Sequence, residues 1–222
     1  MGLFDKLKKK TNVHQNEEEP VNTLGWDAIT TEVEKIYINQ KDPKHYGTLI
    51  SWRLGGNDPL DDISVYDGGD YWHFVTFGLS ELYEKETDNA DISGYGMEFT
   101  FKLKKDTYED EEAEIKCVCG ILQSIARITF TKGEIFSVYE YLYTGQTQGI
   151  DTQMQSNITG FITIPDEQLK PITTPNGKVE FVEFVGVTND ELLVIKDKKI
   201  DVKSLYKKLG SDVTDYHRAS VI

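Results

Sequence analysis

The sequence predicts an α+β fold, a single domain in which a mixed, largely antiparallel β-sheet is flanked by helices. Strand-like runs of aromatic and β-branched residues alternate with Gly/Asp turns in the first half of the chain. Two stretches show the spacing of amphipathic helices, and strand patterns return in the last third. No repeat or linker divides residues 23–222, so we expect one domain there, after a flexible N-terminal tail at residues 1–22.

A helix and three strands are predicted first. Apolar residues recur every three or four positions after Trp26, which indicates an amphipathic helix that ends before Pro43; its stripe consists of Ile29, Val33, Ile36 and Tyr37. Aromatic and β-branched runs bounded by Gly and Asp then predict strands at residues 48–54, 63–66 and 71–79.

The most regular strand pattern covers residues 95–103. Apolar and polar residues alternate strictly there, so one face should be buried and the other wet or covered by polar groups. The apolar face carries Met97, Phe99, Phe101 and Leu103, and the polar face carries Glu98, Thr100 and Lys102. Acids at residues 109–114 favour the start of a second helix, which should stop near Gly133.

The last third predicts two more strands, at residues 158–164 and 178–187, and two short helices. Asn176-Gly177 marks a tight turn before the second of these strands. Thr188 and Glu191 have the spacing of a capping box, which opens a helix, and a final helix at residues 201–209 should end at Gly210.

The charge of the chain bears on its partners. With 24 basic and 38 acidic residues the net charge is −14, which argues against nucleic-acid binding and favours a basic protein partner. No apolar run is long enough to cross a membrane or to form a signal peptide, so we expect a cytoplasmic protein. Five tyrosines have the amphipathic character typical of protein interfaces, although half of them are expected at the core edge: Tyr83, Tyr95, Tyr139, Tyr141 and Tyr143.

No catalytic, metal-binding or cofactor-binding constellation emerges from the residue spacing. Cys117 and Cys119 lie two apart on a predicted helix, so they should neither pair nor share a metal. His73 is interpreted as a hydrogen-bonded histidine of the sheet. Neighbouring acids such as Asp61 and Asp62 are more typical of solvated turns, although an enzyme that uses the acid cluster with a metal stays open as a hypothesis.

Residues 47–105 carry the most specific signal. The segments WRLGGNDPLDDISVY (52–66), YWHFVTFGLSELY (71–83) and SGYGMEFTFKLKK (93–105) resemble the N-terminal globular domain of the Suppressor of fused family. Weaker agreement continues through PITTPNGKVEFVEFVGVTNDEL (171–192) and VTDYHRASVI (213–222), so the resemblance spans most of the chain in one order.

The resemblance implies a protein that binds other proteins. The resemblance implies the binding mode of the animal member, which grips a peptide that adds as a strand between two domains. Because 222 residues leave no room for the second domain, we expect that this clamp is not copied whole. The resemblance places the peptide-gripping side near Tyr83 and Asp91. We predict that the partner-binding residues are the sheet-edge and loop residues Tyr83, Asp88, Asp91 and Tyr95, where backbone pairing would supply affinity and the acids orientation.

Short bacterial relatives resemble immunity proteins, or antitoxins, that neutralise polymorphic toxins, many of which are nucleases. Because a nuclease toxin is usually basic, the acidic surface agrees with such a partner. A cytoplasmic adaptor or regulator that binds a cellular protein is the alternative.

Overall fold

Eight strands and four α-helices build the structure, a computed structural model that describes residues 22–222. The predicted tail at residues 1–22 therefore lies, apart from Asn22, outside the described residues. The helices are α1 (Leu24–Glu34), α2 (Glu111–Lys132), α3 (Asn189–Lys196) and α4 (Val202–Leu209). The strands are β1 (Lys44–His45), β2 (Asp62–Asp67), β3 (Tyr71–Phe77), β4 (Ile92–Lys104), β5 (Tyr141–Leu142), β6 (Ile158–Pro165), β7 (Ile172–Thr174) and β8 (Gly177–Thr188).

All eight strands form one sheet, in the order β1-β2-β3-β4-β8-β6-β5, with β7 paired to the beginning of β8. Only β4 and β8 run parallel, and every other pair is antiparallel. The predicted α+β class with a mixed, largely antiparallel sheet is confirmed. Within the described range β1 and β5 are the two ends of this sheet, which separates features at one end from features at the other.

The sheet separates two layers of helices because side chains alternate between its faces. One face packs on α2, and β4 contributes Met97, Phe99, Phe101 and Leu103 to that core. The opposite face carries two separate apolar clusters. One forms under α1 around Ile29 and Phe181, and the other lies under α3 and α4 around Val185 and Leu205.

The polar face of β4 is buried. Of the two environments that the sequence allowed, solvent or a cover of polar groups, the structure shows the second. Glu98, Thr100 and Lys102 are all at most 1% exposed and point into the space between the two clusters. Lys102 Nζ contacts Glu183 at 2.9 Å and Asp212 at 2.5 Å, and His73 Nε2 lies 3.1 Å from Asp166. We call this row the polar seam: Tyr37, His73, Thr100, Lys102, Asp166, Glu183 and Asp212.

His73 is a hydrogen-bonded histidine of the sheet, as predicted. Since the Asp166 carboxylate only accepts, His73 Nε2 carries the proton and Nδ1 accepts from the Tyr37 hydroxyl at 2.9 Å. Burial lowers the pKa of His73, although the Asp166 carboxylate opposes that effect. The ring is therefore a neutral link within the core.

Local sequence signals fixed most helix ends. The Asp110 side chain accepts from the Ala113 N–H at the start of α2, and Gly133 ends that helix in the left-handed region at φ 71°. Thr188 and Glu191 form the predicted capping box of α3, and Gly210 ends α4 at φ 67°. The turn before β8 also occurs where Asn176-Gly177 predicted it.

The strand predicted at residues 48–54 is wrong. Pairing along β2 stops at Thr48, whose N–H donates to Asp61 O at 3.1 Å, and residues Trp52–Leu54 form a short 3₁₀ turn. The loop folds back on itself at Gly56, where a Cβ atom would lie only 1.9 Å from the Ile50 carbonyl oxygen. A glycine is thus required by a tertiary contact that a local pattern does not reveal.

Candidate functional site

The predicted partner-binding residues lie near the N-terminal end of β4. Two loops meet there. The acidic loop, residues 84–91, connects Tyr83 to β4, and the apolar loop, residues 46–58, follows β1. Arg53 in the apolar loop forms an ion pair with Glu86 in the acidic loop, so the two loops present one joined surface.

A buried glutamate holds the acidic loop in shape. Glu81 Oε1 accepts the backbone N–H groups of Glu86 at 2.7 Å and Thr87 at 2.6 Å, and Oε2 accepts from Lys85 Nζ at 2.7 Å. Burial alone would raise the pKa of Glu81, but the Lys85 ammonium and these N–H groups more than offset it and bring the pKa to about 2. The loop therefore closes around an ionised carboxylate.

A second buried glutamate fixes the turn that leads into this loop. Glu98 Oε1 accepts from Gly78 N at 3.0 Å, Ser80 N at 2.9 Å and Ser80 Oγ at 2.6 Å, and Oε2 accepts from Thr76 Oγ1 at 2.7 Å. Burial raises the pKa of Glu98 to about 7 even though these donated bonds favour its charged form. The polar face of β4 thus positions the chain that carries Tyr83.

The base of the acidic loop is packed too tightly for most side chains. Gly94 adopts φ 56°, and a Cβ atom there would approach the Leu79 carbonyl oxygen to 2.7 Å. From the β7–β8 turn, the buried Asn176 side chain donates to the carbonyl oxygens of Glu81 at 2.8 Å and Tyr83 at 3.2 Å. Gly94 of the Ser-Gly-Tyr-Gly motif is therefore required by backbone packing.

The structure brings the four predicted residues near the N-terminal end of the inner strand β4 but not to one flat face. Asp88 and Asp91 are exposed in or at the end of the acidic loop. Tyr83 is half-buried against the α1 cluster, where burial raises its pKa and the Asp61 carboxylate adds to that effect. Tyr95 packs on the α2 side, with its ring 5.2 Å from that of Phe130.

The main-chain groups next to these residues are already occupied. Tyr95 N donates to Leu79 O at 2.9 Å, and Asp91 O accepts from Lys178 N at 2.9 Å. β4 is an inner strand, so a partner would meet the side chains and the exposed loop rather than an open strand edge here. Their role in partner binding stays a prediction.

The apolar loop was missed as a binding feature by sequence reasoning, because its pattern was interpreted as a strand. Leu49 is fully exposed, Leu54 is 81% exposed and Ile50 is 57% exposed. A groove of about 700 Å³ lies between this loop and α2, with Tyr46, Gly120, Gln123 and Arg127 in its lining. The signal that could have identified it is the pair of adjacent apolar residues Leu49-Ile50, which breaks the alternation expected of a strand a few residues before Gly55-Gly56.

The described residues offer no group of three or more His, Cys, Asp or Glu side chains that could hold a metal ion. Burial raises the pKa of both thiols, and that of Cys119 reaches about 12, which keeps it protonated at neutral pH. Within residues 22–222, no helix combines the length and hydrophobicity needed to cross a bilayer.

Comparisons with known proteins find relatives of one family. A family model described as Suppressor of fused protein (SUFU) matches residues 56–219. The human Suppressor of fused homolog is 32% identical over 181 residues, covering 76% of this chain and 36% of the human protein. The mouse homolog gives the same values. The chain therefore spans about a third of the length of these curated relatives.

Solved structures show the same fold. A chain of the Sufu-Fu complex superposes with a TM-score of 0.78 at 28% identity, covering 90% of this chain and 93% of that one. Drosophila Suppressor of Fused gives 0.75 at 28% identity, covering 90% and 52%. A putative homolog from Neisseria gonorrhoeae FA 1090 shares the fold at 0.56 and 16% identity, covering 88% and 96%.

Proposed function

The chain belongs to the Suppressor of fused family, and from that premise we propose that it is a non-enzymatic protein-binding module. It docks on its partner through the apolar loop and the acidic loop together. The observation that carries this proposal is the exposure of Leu49, Ile50 and Leu54 beside an acidic loop whose conformation is fixed from within.

The energetics of the two loops suit binding. Fully burying an exposed leucine or isoleucine contributes about 1.5–3 kcal/mol, so three such residues can form the centre of an interface. The acidic loop is already ordered by Glu81, which reduces the entropy that a partner would have to remove. Asp88 and Asp91 then contribute orientation and rate of association through long-range attraction.

The charge of the chain indicates what kind of partner fits. A net charge of −14 repels nucleic acid and attracts a basic protein. We infer an immunity protein of bacterial type, acting in the cytoplasm, that covers a basic, nuclease-type polymorphic toxin. Its acidic surface would compete with the nucleic-acid substrate for the same basic cleft.

A second candidate function is an adaptor or regulator of a cellular protein. It is favoured by the match to a chain that is solved in a Sufu-Fu complex, which covers 90% of this chain. The two functions share the same docking surface and differ only in the partner, so identifying the partner separates them.

The test combines crosslinking in the source cells with a growth assay. Tagged wild-type protein should enrich a basic nuclease domain, and co-expression should restore growth of cells that produce this domain. The double variant Ile50→Ser/Leu54→Ser should lose both effects, whereas Ile38→Ser, an isoleucine that is 72% exposed near the β2–β3 turn, should keep them. A non-toxic protein captured in the same loop-dependent way would establish the adaptor instead. If the double variant captures the partner as well as the wild type does, the proposed docking surface is refuted.

A further inference from the structure

A second candidate surface lies on β5, the edge strand at the opposite end of the sheet from β1 and the apolar loop that follows it. No strand within residues 22–222 pairs with its outer side. Thr163 O accepts a hydrogen bond from Tyr139 N at 2.7 Å, and Thr163 N donates to Glu140 O at 2.9 Å. Leu142 pairs with Phe161. Because bonding alternates along an antiparallel ladder, the N–H and C=O of Tyr141 point away from β6.

Three tyrosines line the same side of this edge: Tyr139, Tyr141 and Tyr143, which we call the tyrosine edge. Tyr139 is 36% exposed and Tyr141 is 42% exposed, whereas Tyr143 packs partly against the α3–α4 cluster. Exposed aromatic rings that follow a strand with open main-chain groups match the requirements of strand addition, in which backbone bonds supply affinity and alternate side chains supply contacts.

Tyr139 occupies a position that suits glycine. Tyr139 and Glu140 together oppose the single residue Thr163, which is the geometry of a β-bulge. In the G1 type of bulge the first residue, usually glycine, adopts the left-handed region, and Tyr139 has φ 69°. A bulky side chain there is strained, so its presence points to a role for the exposed ring outside folding.

Lysines cover the tyrosine edge although the chain as a whole is acidic. Lys203 Nζ lies 4.3 Å from the centre of the Tyr139 ring, and Lys196 Nζ lies 4.5 Å from that of Tyr143. The segment from Lys196 to Lys208 contains six lysines against two aspartates. The positive charge of this segment is therefore concentrated on the last residue of α3, on α4 and on their connection.

We propose that the tyrosine edge, with Lys196 and Lys203, binds an extended acidic peptide that adds to β5 as a further strand. The peptide backbone pairs with Tyr141, its carboxylates meet the lysines, and its apolar side chains lie on the tyrosine rings. This site lies at the opposite end of the sheet from the apolar loop, so it stands independently of the proposed function.

A peptide fits this surface better than nucleic acid does. Backbone N–H and C=O groups in strand geometry match those of another polypeptide, and the net charge of −14 disfavours binding of a long polyanion to the chain as a whole. A second copy of the chain could offer an acidic segment of its own, and the experiment distinguishes that occupant.

The test measures fluorescence anisotropy of a labelled peptide of about eight residues in which Glu alternates with Val or Thr. Binding to the full chain should weaken about tenfold in Lys196→Gln/Lys203→Gln and several-fold in Tyr139→Gly. The matched control, Lys116→Gln/Lys132→Gln on α2, should bind as the wild type does. Tyr139→Gly relieves the strained backbone, so its melting temperature should stay within about 4 °C of the wild type.

Peptide chemistry supplies the remaining controls. A version with proline at alternate positions should bind at least about tenfold more weakly, because it cannot donate backbone bonds, and a lysine-containing version should not bind. The proposal is overturned by no binding up to about 1 mM, by equal binding of the proline version, or by an oligothymidylate that binds more tightly. Self-association in sedimentation that Lys196→Gln/Lys203→Gln abolishes would instead assign the edge to a second copy.

Discussion

Replacing Glu81 with glutamine tests whether one buried carboxylate shapes the acidic loop. The wild-type oxygens accept two N–H groups and the Lys85 ammonium, whereas an amide turns one acceptor into a donor that faces Lys85. The gap between an ordinary pKa of 4.5 and about 2 corresponds to about 3 kcal/mol at about 1.36 kcal/mol per pKa unit. We expect Glu81→Gln to lower the free energy of unfolding by about 2–3 kcal/mol at pH 7.

The stability difference between wild type and Glu81→Gln should depend on pH. Because the folded pKa of Glu81 is depressed, its contribution is complete above about pH 5 and is lost as the pH falls towards 2. The difference between wild type and Glu81→Gln in urea unfolding should therefore shrink between pH 5 and pH 3. Hydrogen exchange should show faster exchange of the Glu86 and Thr87 amides in the variant.

Glu84→Gln is the matched control, because Glu84 is an exposed glutamate at the start of the same loop. It should leave urea unfolding and amide exchange unchanged. If Glu81→Gln unfolds at the same urea concentration as the wild type and the two amides exchange equally slowly, Glu81 does not organise the loop and the reasoning is wrong.

Three further predictions concern the packing around the site. Gly94→Ala should lower the free energy of unfolding in urea by at least about 2 kcal/mol, because φ 56° and the 2.7 Å approach to Leu79 O both exclude a side chain. The control Gly120→Ala, in open space on α2, should not lower it. Lys102→Met should cost about 3–5 kcal/mol, because it leaves buried carboxylates unpaired. Burial raises the pKa of Glu183 well above 4.5, so this group should make the wild type lose stability as the pH rises above that value. Glu183→Gln should reduce the loss, and the part caused by Glu98, whose pKa is also raised, should remain.

The sequence predicted correctly those features of the structure that depend on residues close together in the chain. The alternation in β4, the capping box at Thr188 and the glycine stops are set by neighbours within a few residues, and all were predicted correctly. The environment of the polar face of β4 depends on Asp166 and Glu183, which come from more than sixty positions later in the chain. Local alternation could therefore not tell a wet face from the polar seam.

The site shows the same limit. Tyr83 and Asp91 were predicted through the resemblance, and Asp88 and Tyr95 from their place in the same loop and strand, whereas Glu81 looked like one acid among many. Its importance arises from donors that converge only once the loop has folded. The apolar loop resembled a strand because Ile50, Trp52 and Leu54 alternate with polar residues, and such an alternation looks the same whether the segment pairs with a neighbouring strand or extends into solvent.

The alternation of β4 therefore has two separate consequences. Its apolar side chains build the core under α2, and its polar side chains hold both the seam and the turn at Ser80 that leads to the acidic loop. A shift of β4 by one residue would exchange these faces and place Phe99 where the carboxylate of Glu98 now binds Thr76 and Ser80. Burying charge is a poor source of stability, but here it fixes a single register, and that register places Tyr83 and Tyr95 on opposite sides of one exposed loop.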